Sequence, residues 1–316
     1  MLIVLLVALG LLLIMLCSGA YIFCVGCCRG KDVNWLDERA VKTTPFSKYY
    51  SQIVAADRFL KDNGSQDVFI TSKDGLRLHG VWVPAEGAKG TVIMLHGYRS
   101  TYLVDFSMAL EFYLRAGFNL LIPDQRAHGK SRGRFITFGV KESGDLLEWI
   151  GFHNRNFGMF PVILSGLSMG ASTVLYVADE PLPVNVKGMI ADCGFTSPKE
   201  ILSTVYRRVT HLPPCFSMWA VDLFTRLFAG FSITQKDTRM TLAASKVPVL
   251  MIHGREDGFV PCKMSEDGYQ ACIGCKRLLI VDGADHGVSF VQDREGYTKA
   301  VVSFLKENIT GFSADA

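Results

Sequence analysis

Three side chains far apart in this chain have the types needed for covalent acyl chemistry. Gly166-Leu167-Ser168-Met169-Gly170 reads G-x-S-x-G, between an apolar run (161–165) and a helix-like stretch (171–178). A strand that turns tightly into a helix at a serine lifts the hydroxyl above the sheet edge, and small neighbours make the strained turn possible. The turn also sets Ser168 at a helix N-terminus, where free N–H groups favour developing negative charge. A serine hydroxyl is a weak nucleophile; it needs a base, and the base needs an orienting acid. Asp257 follows the apolar segment 247–254 in a polar turn, and His286 follows the apolar segment 277–281. All three candidates thus stand just past the C-terminal end of a strand-like run, in the order Ser, Asp, His.

Around these residues stand Leu95-His96-Gly97-Tyr98 and the stretch Asp124-Gln125-Arg126-Ala127-His128-Gly129-Lys130-Ser131. With the three candidates, they make residues 65–310 resemble the α/β-hydrolase superfamily, in particular its bacterial membrane-anchored esterase or lysophospholipase-like branch. The resemblance implies an oxyanion hole built from the backbone amides of Tyr98 and Met169, although no HGGG run is present. It also implies structural hydrogen bonding for His96 and His128.

The order of elements fits that reading. A hairpin is expected over 68–83 around Lys73-Asp74-Gly75, since Asp-Gly is a strong turn signal. Strand-like runs at 91–95, 119–123, 161–165 and 186–192 then alternate with helical stretches at 104–116, 141–154 and 171–178. Alternation predicts an α/β fold: a mostly parallel, doubly wound sheet that binds ligands beyond its strands' C-terminal ends. Residues 65–312 are assigned to this domain, with a helical lid at about 194–246, and 29–64 to a linker and a helix. The lid carries helical segments at 199–209 and 216–229, split by Leu212-Pro213-Pro214. The second is apolar on most faces, which suits an acyl or alkyl pocket beneath it. Asp192, after the strand that precedes the lid, is an alternative to Asp257 as the acid.

Residues 1–28 carry no charged side chain and are assigned to a transmembrane anchor, long enough to cross a hydrocarbon core of ~30 Å. Such a segment is expected to find no partner face on an α/β domain. Ser18-Gly19-Ala20 resembles a signal cleavage site, but no Lys or Arg precedes the apolar run, so an uncleaved single-pass anchor is favoured. Arg29 and Lys31 follow the span, which by the positive-inside bias puts the domain in the cytoplasm; resemblance to exported relatives points to the other side. Both sides stay open.

The net charge of +3, with no basic stripe, excludes a nucleic-acid role. The 9 cysteines are odd in number and unpatterned, so they form no disulfide framework, and Cys272-Ile273-Gly274-Cys275 lacks a second pair at zinc spacing. Neither metal nor cofactor is expected, and oligomeric state is not encoded legibly. The reading is a serine hydrolase acting on lipid-like or small acyl esters through an acyl-enzyme. An aminopeptidase- or acylpeptidase-like amide hydrolase and a thioesterase use the same site. The amide reading wants an acidic pair for a substrate amine; the lid offers Glu200, Asp222 and Asp237 but no evident cluster, which ranks that reading below the ester one. A non-catalytic binding protein is disfavoured by the three residues being intact.

Overall fold

The computed structural model describes residues 1–312. An eight-stranded sheet runs in the order β1-β2-β4-β3-β5-β6-β7-β8, with β1 (Gln66–Thr71), β2 (Arg77–Val83), β3 (Gly90–Leu95), β4 (Phe118–Pro123), β5 (Val162–Leu167), β6 (Val186–Asp192), β7 (Val249–Gly254) and β8 (Lys276–Val281). The β1–β2 hairpin and the β2–β4 pair are antiparallel; every pairing from β4 through β8 is parallel. The expected hairpin is therefore present, and it forms one edge of an otherwise parallel sheet.

Every residue of β3, β4 and β7 is buried, the pattern of strands covered on both faces. Successive side chains alternate between two cores, as the pleat requires. Val92, Met94, Leu120 and Ile122 face helices Tyr50–Asp62 and Arg294–Asn308 through Ile53, Leu60, Val301 and Phe304. Ile93, Leu95 and Leu121 face helices Val140–Phe157 and Met169–Leu175 through Leu146, Trp149 and Val174.

The stretch expected as one helix over 104–116 is two short ones, Tyr102–Asp105 and Leu110–Arg115. Asp105 turns its carboxylate back to the preceding loop, where Gly97 N and Ser100 Oγ donate to it. The insertion between β6 and β7 contains helices Pro198–Thr210 and Met218–Phe224, the second relaxing into a π turn over Thr225–Ala229 that Gly230 ends at φ 66°.

The N-terminal helix, Leu2–Cys27, departs from the expectation that it would find no partner. Its first half is exposed, but its last third joins a core with the insertion. Gly19 makes this possible: a Cβ there would lie 2.4 Å from the Ala220 Cβ. Phe23 packs against Phe135, Phe224 and Phe228, with ring centroids 5.5, 6.3 and 5.9 Å away. The chain leaving the helix is pinned by backbone hydrogen bonds from Ile136 N to Cys27 O at 2.7 Å and from Arg29 N to Arg134 O at 2.8 Å. An apolar run has the same composition whether lipid or protein covers it, so this docking had no compositional trace.

Candidate active site

β5 ends at Leu167, and Ser168 follows at φ 55°, ψ −114°, a region that costs a non-glycine residue roughly 1–3 kcal/mol. Close packing holds it there. A Cβ on Gly170 would sit 1.9 Å from Leu95 O, and one on Gly166 would sit 2.3 Å from the Gly170 carbonyl carbon. Ser168 N donates to Asp192 O at 2.8 Å, tying the elbow to β6.

The structure brings Ser168, His286 and Asp257 into one chain of hydrogen bonds. His286 Nε2 is 3.0 Å from Ser168 Oγ, and His286 Nδ1 is 2.7 Å from Asp257 Oδ2. A carboxylate only accepts, so Nδ1 carries the proton and Nε2 is left to accept from the serine hydroxyl. Asp257 Oδ1 accepts from the amides of Phe259 and Val260, both at 2.8 Å. Burial alone would raise this carboxyl, but donors from His253 and His286 hold it well below the ordinary range. Asp285, next to His286, accepts from Gly258 N at 2.8 Å and so links the His286 loop to the Asp257 loop.

Asp192 does not compete for His286. It is buried, its carboxyl is pushed up to about 6 by that burial, and its Oδ1 takes Ser289 Oγ at 3.4 Å. Among the described residues, donor atoms of Cys193, Asp257 and His286 lie within 4.8 Å of one another. The hydrogen bond between Asp257 and His286 accounts for two of them, and Cys193 is buried beside that pair.

Met169 is the first residue of helix Met169–Leu175, so its amide has no intrahelical partner and points out of the helix start. Gly97 approaches the elbow closely enough that a Cβ there would lie 3.3 Å from Ser168 Cβ, which brings the Tyr98 backbone beside the same site. The 97–99 loop is braced on three sides. Gly97 N donates to Asp105 Oδ2 at 2.6 Å, His96 Nε2 accepts from Gln125 N at 3.0 Å, and His128 Nε2 accepts from Arg99 N at 2.9 Å. The fourth brace is the N-terminal helix: Tyr98 OH donates to Gly26 O at 2.9 Å, and the Arg99 guanidinium donates to Val25 O at 2.7 Å and Cys28 O at 3.0 Å.

Ser168 stands between two cavities. One, of about 430 Å³, is apolar, with Phe138, Phe195, Ile201, Leu202 and Val205 on one side and Ile22 and Val25 on the other. The second, of about 540 Å³, is lined by more polar groups, including Tyr49, Ser100, Asp105 and His286. Phe259 borders both, its ring 5.1 Å from that of His286. His253, Asp105 and the N-terminal helix were not expected from the sequence as parts of this site. Only His253 left a signal, its i,i+4 spacing to Asp257.

The family model described as "Serine aminopeptidase, S33" matches residues 86–240. The Bacillus subtilis protein YqkD is 29% identical over 237 residues, 75% of this chain and 77% of that protein. The Acinetobacter calcoaceticus bifunctional esterase/perhydrolase DCH is 20% identical, over 75% of this chain and 99% of that protein. The Pyrococcus furiosus esterase Pf2001 superposes with a TM-score of 0.63 at 28% identity, over 78% of this chain and 94% of that structure. Sheet order and these relatives agree on an α/β-hydrolase fold, and the chain is similar to esterase-type hydrolases of that fold.

Proposed function

We propose that this protein is a serine hydrolase that cleaves carboxylic esters through an acyl-enzyme. The observation that carries the proposal is the unbroken run from Ser168 Oγ through His286 to Asp257, with contacts of 3.0 and 2.7 Å. His286 Nε2 takes the hydroxyl proton as Oγ attacks the ester carbonyl, and Asp257 stabilises the imidazolium. The oxyanion is held by the amides of Tyr98 and Met169; one such donor is typically worth about 10²–10³ in rate. The C–O bond then breaks and His286 returns the proton to the leaving alcohol. Water, deprotonated by His286, releases the acid. An alkyl fluorophosphonate should label the wild-type protein and not Ser168→Ala, and p-nitrophenyl esters should be hydrolysed. Full labelling of Ser168→Ala would reject the nucleophile.

The description of the matching family favours an amide-cleaving alternative. The acids of the insertion speak against it. Glu200 and Asp237 both pair with Arg239, at 2.6 and 2.5 Å, and Asp222 pairs with Arg226 at 2.8 Å and accepts from Ser232 Oγ at 2.6 Å. None is left to receive a substrate amine. Aminoacyl anilides should therefore be turned over far more slowly than esters.

We infer further that Leu2–Cys27 is an uncleaved single-pass anchor. It is the one helix among the described residues long and apolar enough to cross a membrane. Cleavage after Ala20 would remove Ser18, which hydrogen-bonds Ser217 at 2.8 Å, and Gly19, which seats Ala220. Intact mass of the mature membrane-extracted protein tests this, and a chain beginning near Tyr21 would contradict it.

A further inference from the structure

The apolar cavity beside Ser168 is not enclosed by the hydrolase domain alone. One wall is the N-terminal helix, which contributes Ser18, Tyr21, Ile22, Val25 and Gly26. From Gly26 back to Ser18 that wall runs about 12 Å. Gly26 lines it opposite Leu202 and Phe138: a Cβ there would be in ordinary contact with both, each 3.7 Å away, so a larger side chain would enter the cavity. The mouth can be located from residues that line the cavity and are also exposed. Tyr21 and Val25 of the N-terminal helix are 69% and 48% exposed, and Val209 of helix Pro198–Thr210 is 73% exposed. The cavity therefore opens sideways, between these two helices.

Helix length decides what that mouth faces. The segment Leu2–Cys17, free of the domain, is about 24 Å long at 1.5 Å per residue. A hydrocarbon core is about 30 Å thick. The free segment alone is too short, so a spanning helix must bring the bilayer down to the level of Ser18–Val25, where the mouth lies. The insertion is built for that level. Beside Gly19 and Phe23 it exposes Trp219, Leu223, Leu227 and Phe228, at 40%, 39%, 66% and 60%. This surface continues the exposed face of the N-terminal helix, and a tryptophan on it suits a membrane boundary.

Building on the ester-hydrolase reading, we propose that the N-terminal helix is a wall of the acyl-binding site, and that acyl chains enter it sideways from the bilayer through the gap beside helix Pro198–Thr210. The substrate is then an acyl ester whose hydrocarbon tail is dissolved in the membrane. The tail lies along Ile22 and Gly26, the ester carbonyl reaches Ser168, and the second, more polar cavity receives the alcohol. The hydrogen bonds from Tyr98 and Arg99 to carbonyls of Val25, Gly26 and Cys28 fix the wall to the oxyanion loop.

The test uses the full chain in phospholipid nanodiscs and the ratio of kcat/KM for p-nitrophenyl dodecanoate over butyrate. Gly26→Leu should lower that ratio at least about ten-fold, because an overfilled apolar site rejects the longer chain. Gly10→Leu is the matched control: nothing lies within 4 Å of its Cβ position, and the ratio should stay within about two-fold. A second measurement does not depend on the variant folding. A dodecyl fluorophosphonate with a diazirine at the tail's end, bound to the wild-type protein, should cross-link to the tryptic peptide ending at Arg29 or to helix Pro198–Thr210. An unchanged ratio in Gly26→Leu, or cross-links confined to other peptides, overturns the inference while ester hydrolysis stands. Failure of the wild type both to hydrolyse any ester and to be labelled overturns the ester reading, and this inference with it.

Discussion

His253 Nε2 lies 3.2 Å from Asp257 Oδ2, the same oxygen that takes His286 Nδ1 at 2.7 Å. His253 is fully buried, and Nε2 also meets Val260 O at 2.9 Å. A carbonyl only accepts, so Nε2 carries the proton, and Nδ1 accepts from Ser265 Oγ at 2.6 Å. Asp257 is thereby held by four donors: two ring N–H groups and the amides of Phe259 and Val260. We regard His253 as a positioning residue. His253→Phe should lower kcat/KM about ten-fold or more, in the range of lost hydrogen bonds to a buried charged group. His253→Gln, which can return an N–H to the same place, should recover most of it. Equal losses in the two variants, at equal thermal stability, would reject the positioning role.

The elbow makes a prediction about space rather than charge. Gly170→Ala would push a methyl to 1.9 Å from Leu95 O in a fully buried helix start, so it should cost more than about 4 kcal/mol or prevent soluble expression. Gly144→Ala has nothing within 4 Å, lies within helix Val140–Phe157, and should gain about 0.5–1 kcal/mol. Thermal denaturation of the two variants reads the contrast; a well-tolerated Gly170→Ala would mean the strand–helix approach is looser than described.

Ser168 itself stores strain. At φ 55°, ψ −114°, glycine is favoured over serine, so Ser168→Gly should raise stability by about 1 kcal/mol while removing activity. Urea denaturation measures it. A Ser168→Gly protein less stable than Ser168→Ala would argue against strain at the elbow.

Buried His128 sets an acid limit on the fold. Burial, and then the neighbouring His96, depress its pKa to about 3, and the neutral ring accepts from Arg99 N while donating to Arg126 O. The unfolded chain binds the proton near pH 6.5. Between about 6.5 and 3 the unfolded state therefore holds more protons, and stability should fall with decreasing pH by up to about 1.4 kcal/mol per unit from this group. The difference in melting temperature between wild type and His128→Gln should shrink as pH is lowered from 7 to 4. A constant difference would mean that folding leaves the His128 pKa unshifted.

Much of the site could be read from residue order because its signals are local. Each of Ser168, Asp257 and His286 follows a short apolar run, and the small residues at 166 and 170 are the chain's answer to a close approach of two backbones. What the order of residues could not carry was partnership between distant surfaces. Ser18-Gly19-Ala20 looks like a cleavage site in isolation; in space it is the seat of Ala220 and Ser217. Glu200, Asp222 and Asp237 form no evident cluster in the sequence, but that Arg226 and Arg239 occupy them is visible only in space. The helix over 104–116 was broken by Asp105 serving the loop behind it, a tertiary demand with no periodic signature.

On the proposed mechanism Ser168 becomes acylated with His286 as its base. Mass spectrometry of the full chain after rapid quenching with a p-nitrophenyl ester tests it most directly. A single acyl adduct is expected on the peptide containing Ser168, accumulating in His286→Ala only at a rate lowered by about 10³ or more and absent from Ser168→Ala. Ester hydrolysis at the wild-type rate by Ser168→Ala, or an adduct on any other residue, would contradict it.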